Sequence, residues 1–253
     1  MNARRVAAVA RRVVAQFRRD RRTVALLLVA PIVVLSLVGA IWGRRPTAGS
    51  GRTVLDDLAP ALIAFFAFFF IFLLAAVSFL RERTSGTLER LLATPLRRSE
   101  LVAGYLLGFG LFALLQAILI LAFTVGVLGI RYRGSLGTIF LIEAVLVIGA
   151  VSLGLAVSAF ARNELQAVQF VPLILLPQVF LSGLLVPVDE LPDMLRPIAA
   201  VLPLTYAIEG LRSVMVDGAA VGDTVILRDI GVLVGFAILA GAAAIGSIRG
   251  EVA

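Results

Sequence analysis

Residues 81–105 read RERTSGTLERLLATPLRRSELVAGY. This is the longest charged stretch lying between two long apolar runs, and it carries the punctuation of a short helix with defined ends. Thr84, Ser85 or Thr87 is suited to cap the helix, Glu89 favours its first turn, and Pro95 ends it because proline disfavours helix in the residue before it. A helix over Thr84–Thr94 would carry Leu88, Leu91 and Leu92 as an apolar ridge, with Glu89 and Arg90 at its rim. In a chain otherwise compatible with hydrocarbon, this knuckle predicts a docking surface for a soluble partner, made of Thr84, Gly86, Thr87, Leu88, Glu89, Arg90, Leu91, Leu92 and Pro95.

Composition sets the class around that stretch. The 253 residues are 60% hydrophobic, with a mean hydropathy of +1.05, far above the roughly 45–50% apolar content of a soluble domain. The chain reads as a polytopic membrane protein. Cys and His are absent, which removes disulfides, thiolate chemistry, imidazole bases and the commonest metal ligands. All 23 basic residues are Arg, so the lysine of a phosphate-binding loop cannot come from this chain. Any nucleotide that drives the protein is bound elsewhere.

Working outward, residues 1–22 place most of eight arginines on one face of a helix and Val6, Ala10, Val13 and Phe17 on the other. That pattern predicts an interfacial amphipathic helix, with its apolar stripe in the acyl boundary of an anionic leaflet. A nucleic-acid role is not expected, because the basic patch runs straight into a membrane span. Apolar runs then predict six spans at 23–43, 58–80, 101–130, 136–160, 165–187 and 230–248, each near the roughly 20 residues needed to cross a bilayer core. The first is too long for a signal-peptide core and is expected to be retained. With both termini cytoplasmic, 15 arginines lie inside against 8 outside, which fixes the expected orientation. The segment 188–229 is too apolar for a free loop, yet Pro187, Pro192, Pro197 and Pro203 break any crossing helix. Two short helices dipping into the outer leaflet are expected, roughly Pro192–Val201 and Thr205–Val216, with Glu209 and Arg212 on the second and Gly218 stopping it.

Two segments in this order, ERTSGTLERLLATPLRRSELVAGY at 82–105 and FLSGLLVPVDELPDMLRPIAAVLPLTYAIEGLR at 180–212, resemble the membrane subunit of a type 2 ABC exporter of the daunorubicin and multidrug permease kind. The resemblance covers nearly the whole chain. It implies an all-α membrane domain of six transmembrane helices over 1–253, with residues 1–22 as an elbow helix, 81–100 as a cytoplasmic coupling segment and 188–229 as an extracytoplasmic re-entrant segment. It also implies a second permease subunit, identical or homologous, and two copies of an ABC ATP-binding subunit that hold ATP and Mg. The expected location is a bacterial inner (cytoplasmic) membrane. The short loop at 44–57 departs from relatives with a large periplasmic domain there, which disfavours the branch that recruits an outer-membrane channel.

Polar groups inside a membrane are expensive, so each is a candidate for function. Glu143 is the only carboxylate well inside a span: it is either a cation-recognition group or a protonated glutamate hydrogen-bonded to a neighbouring helix. Gln169 and Gln178 join it as pathway candidates, with helix-to-helix hydrogen bonding as their commoner role. Phe65, Phe69 and Phe72 share one face of the second span and form a candidate greasy wall, with lipid-facing bulk as the ordinary alternative. Three functional classes remain. The first is an ATP-driven permease for a hydrophobic or amphiphilic drug, lipid or secondary metabolite, or for a polysaccharide. The second is a proton-coupled secondary transporter using Glu143. The third, an intramembrane enzyme, is disfavoured without His, Cys or a metalloprotease motif.

Overall fold

The computed structural model describes residues 2–43, 45–47, 51–161 and 163–247. Helices make up its regular structure: α1 Ala3–Arg19, α2 Arg21–Trp42, α3 Val54–Thr84, α4 Thr87–Leu92, α5 Arg98–Gly126, α6 Leu136–Ser158, α7 Glu164–Leu181, α8 Arg196–Ala199, α9 Pro203–Arg212 and α10 Thr224–Ser247. Five of them, α2, α3, α5, α6 and α10, are long and apolar enough to cross a membrane, and Val168–Leu181 of α7 forms a shorter apolar helix. The chain is a polytopic, all-helical membrane protein. Where six spans are expected, five long apolar helices and one shorter apolar helix stand, the shorter one carrying Pro172 and Pro177.

Local rules account for the helix ends. Thr53 and Asp56 close a capping box at the start of α3, satisfying two backbone donors that the first helical turn leaves open. Asp56 also accepts from the Arg131 backbone N–H at 2.8 Å, so the link between α5 and α6 is tied to the start of α3. Pro203 begins α9, where its missing N–H costs nothing.

The core lies along α3 and α6. Gly154 permits their closest approach: a Cβ there would stand 2.7 Å from the Phe72 carbonyl oxygen, which backbone cannot yield. Helix α10 packs on the other side of α6, and α9 wedges among α3, α6 and α10. The re-entrant expectation changes in form. A 3-10 turn at Val188–Glu190 and the single turn of α8 replace the first helix expected over Pro192–Val201. The second begins at Pro203, and a π-helical turn over Ser213–Asp217 extends it. Gly218, with φ 82°, ends it in the left-handed region that glycine enters without strain.

The N-terminal helix differs most from expectation. It is amphipathic, as its periodicity predicts, but Val6, Val9, Ala10, Val13 and Phe17 are buried against protein, and α5 is the main helix it packs on. Gly104 and Gly108 of α5 make the seat: a Cβ on either would fall 2.5 Å from Val9 Cβ and 2.6 Å from Val13 Cβ, respectively. Two small residues four apart let helices approach where lipid tails offer no hydrophobic gain. Phe17 completes the contact edge-on to Phe109 at 5.4 Å and tilted on Phe112 at 4.6 Å.

Candidate functional site

The knuckle is shorter than its sequence suggests. Helix α3 runs through Thr84, Gly86 turns the chain at φ 69°, and α4 occupies only Thr87–Leu92. Among the described residues no side chain caps α4: Thr84 Oγ1 donates back to the Leu80 carbonyl at 3.2 Å, while the Ser85 and Thr87 hydroxyls meet at 3.0 Å. The helix ends before Pro95. Leu88 is 2% exposed and belongs to the core, so the ridge expected to face a partner is turned inward at that residue. Thr84, Glu89, Arg90 and Pro95 are exposed, whereas Gly86, Thr87, Leu91 and Leu92 are half-buried.

Helix α1 clasps both legs of this knuckle. On the α3 side, Arg12 reaches Glu82 at 3.1 Å, and the Tyr105 hydroxyl of α5 donates to the same carboxylate. On the α5 side, Glu100 accepts from the Asn2 backbone N–H at 2.6 Å and the Arg97 backbone N–H at 3.1 Å, and pairs with Arg5 at 3.5 Å. Arg5 also donates to the Pro95 carbonyl. Both carboxylates are buried, where an ion needs partners to offset lost hydration. Between α1 and the knuckle lies a groove of about 370 Å³, with Arg5 and Arg12 on one side and Leu91, Thr94 and Pro95 on the other.

The pathway candidates do not converge. Phe65 and Phe69 stack at 5.7 Å and are half-buried, but Phe72 is fully buried and stacks instead on Phe68 at 6.0 Å. Gln169 is exposed on α7, whereas Gln178 is buried and accepts from the Leu204 backbone N–H at 3.3 Å. Glu143 is wholly buried in α6, and among the described residues neither carboxyl oxygen has a hydrogen-bond partner. It shares a helical face with Val147, Ala150 and Gly154, the face that meets α3. At the other end of the molecule, Pro187 caps the 3-10 turn, Pro192 is exposed and Pro203 is buried. Glu209 pairs with Arg228 at 2.8 Å, and Arg212 donates to the Gly183 carbonyl at 3.3 Å. Arg228 also holds Asp229, a fully buried carboxylate, at 2.6 Å. Among the described residues, no group of three or more acidic side chains comes together to hold a metal ion.

Residues 4–216 match the family model described as ABC-2 type transporter. The chain belongs to the ABC-2 type transporter family. ABC transporter G family member 20 of Dictyostelium discoideum is 31% identical over 164 residues, which is 65% of this chain and 22% of that protein. The probable multidrug ABC transporter permease YbhS of Escherichia coli K12 is 32% identical over 139 residues, 54% of this chain and 37% of the relative. The linearmycin resistance permease protein LnrN of Bacillus subtilis is 31% identical over 175 residues, 69% and 45% respectively. The matched stretch thus spans less than half the length of each of these relatives.

Within this ABC-2 type chain, the clasp residues Asn2, Arg5, Arg12, Glu82, Glu100 and Tyr105 were not legible as a group. A charge at the end of an apolar run reads as solvated. Two signals were available: Arg5 and Arg12 stand seven apart and so share one face of α1, and Gly104 and Gly108 mark a helix seat on α5.

Proposed function

We propose that the chain is the permease subunit of an ATP-driven exporter of hydrophobic or amphiphilic substrates, with ATP and Mg held by a separate ATP-binding subunit. The observation that carries this reading is the groove between α1 and the knuckle. It is apolar at its floor, arginine-flanked at its edge and joined covalently to α3 and α5, so a helix of acidic rim and apolar face fits it. A load applied there passes into α3 through Arg12–Glu82 and into α5 through Arg5–Glu100. The absence of lysine, which leaves this chain without a phosphate-binding loop, is consistent with ATP being bound elsewhere.

In this account α2, α3, α5, α6, α7 and α10 are six spans, with both termini and the knuckle in the cytoplasm, where the arginine excess lies. Two permease subunits and two ATP-binding subunits make the transporter, in an inner membrane. The half-buried Phe65–Phe69 face and exposed Gln169 then line the pathway at the meeting of the two permeases, while Phe72 and Gln178 brace the fold. The segment from Pro187 to Gly218 closes the outer end. The deciding test is movement of a fluorescent amphiphile in vesicles holding the chain and an ATP-binding subunit. ATP-dependent export requiring both chains is expected. Transport by this chain alone, driven by a proton gradient, would replace the reading with a secondary transporter.

A further inference from the structure

A groove of about 570 Å³ lies between α5 and α10 over a floor made by α6, a volume in the range of small-molecule sites, about 300–1,000 Å³. Val102 and Leu106 form its α5 wall. Each stands two residues from a glycine that seats α1, so the groove opens on the opposite side of α5. Helix α5 leaves the knuckle, and α6 and α10 run back toward it side by side, with Gly149 beside Phe236 and Ser152 beside Gly241. Ser99, Ser152 and Ile245 therefore mark the end nearest the knuckle, and Leu106, Val145 and Val234 the far end. Along α10, from Val234 to Ile245, the groove is about 16 Å long at the helical rise. That is close to half of a hydrocarbon core of about 30 Å, the depth of one leaflet's tails. The lining suits hydrocarbon, not water. Ser152 Oγ is spent on its own helix, donating to the Ile148 carbonyl at 2.9 Å, and apart from Ser99 at the mouth the other lining residues are apolar.

Charge at the mouth selects the occupant. Arg98 stands one turn before Val102 on α5, half-buried, and among the described residues its guanidinium forms no ion pair or hydrogen bond. Among the described residues no acidic side chain lines the groove. Glu100, two residues on, is held on the α1 side by Asn2, Arg97 and Arg5. An unpaired guanidinium at the end of a dry groove matches a phosphate at the end of an acyl chain. A zwitterionic head would bring an ammonium that finds no carboxylate here. We propose that the groove binds one monoanionic phospholipid of the phosphatidylglycerol kind, with one acyl chain lying between α5 and α10 and its phosphate at Arg98. The lining takes nothing from α3 or α7, where the pathway is proposed, so this lipid is a fixed part of the membrane domain and not cargo. The site does not depend on the export reading.

Native mass spectrometry of the full chain in detergent tests it, with dioleoyl phosphatidylglycerol as probe and dioleoyl phosphatidylethanolamine as comparison. One glycerol lipid per chain is expected, bound about fivefold more tightly than the ethanolamine lipid. Ala242→Trp, at an exposed position on the α10 wall, fills the groove and should weaken both lipids about tenfold. Arg98→Gln should erase the preference for the glycerol lipid, and Arg98→Lys should keep it. Arg11→Gln, which removes an exposed charge on α1, should change neither lipid. Equal binding in wild type and Ala242→Trp overturns the site. A preference that survives in Arg98→Gln, or that falls equally in Arg11→Gln, overturns the phosphate assignment. A lipid-free dimer that Ala242→Trp splits into monomers would give the groove to a second copy of the chain and overturn the lipid.

Discussion

Arg12 and Glu82 meet at 3.1 Å beneath the knuckle, joining the N-terminal helix to the last turn of α3 through a carboxylate that is 5% exposed. The pair converts a surface-seeking helix into a structural member. Because Tyr105 also donates to Glu82, three helices share one buried charge.

Arg12→Ala leaves that charge with the Tyr105 hydroxyl alone. Breaking a buried pair from one side costs about 3–5 kcal/mol, and the partial exposure of Arg12 places the expected loss near the lower end. The double variant Arg12→Met with Glu82→Leu should recover most of it, because no ion is then left buried. Thermal unfolding of the purified variants reads both, and additive losses in the double variant would show that the pair does not act as a unit.

Gly108→Val should lift α1 from its seat, since even a Cβ there stands 2.6 Å from Val13. Overpacking of this kind costs about 1–3 kcal/mol. A cysteine placed at Val13 in the otherwise cysteine-free chain is expected to be protected from a water-soluble thiol reagent in the parent and labelled in the Gly108→Val background. Equal protection in both would mean that α1 is not held by this contact.

Glu143 faces α3 from within α6 with no hydrogen-bond partner among the described residues, and we propose that it packs there and does not bind cargo. Glu143→Gln keeps the shape and should leave transport of cationic and neutral compounds in the same ratio. A selective fall for cations, at least about tenfold, would assign it to recognition instead.

The long apolar runs were legible because length and composition alone specify a membrane helix, and α2, α3, α5, α6 and α10 follow them closely. The segments 82–105 and 180–212 pointed to the family that matches over residues 4–216. What periodicity could not show was which surface an amphipathic face meets. Val9 and Val13 satisfy an acyl boundary and a glycine seat equally well, and only the placement of Gly104 and Gly108 across from them decides. The same blindness hid Leu88. Its spacing with Leu91 and Leu92 predicts a shared ridge, but the left-handed turn at Gly86 tips the short helix so that Leu88 enters the core. Glu82 and Glu100 were hidden because their partners, Arg12 and Arg5, are distant in sequence.

In the proposed exporter, force from the ATP-binding subunit enters through the groove between α1 and the knuckle. The absence of native cysteine allows a direct measurement: single cysteines at Ala8, Leu91 and Thr94, and at Ile238 as a lipid-facing reference, each carrying a short photo-activated cross-linker, in cells co-expressing an ATP-binding subunit. Cross-links are expected from all three groove positions to that subunit, identified by the peptide containing its phosphate-binding loop, and none from Ile238. Loss of those cross-links in Leu91→Asp variants bearing the probe at Thr94 should accompany loss of ATP-dependent export. An ATP-binding subunit that co-purifies and drives export without cross-linking at Ala8, Leu91 or Thr94 would mean that force does not enter through this groove.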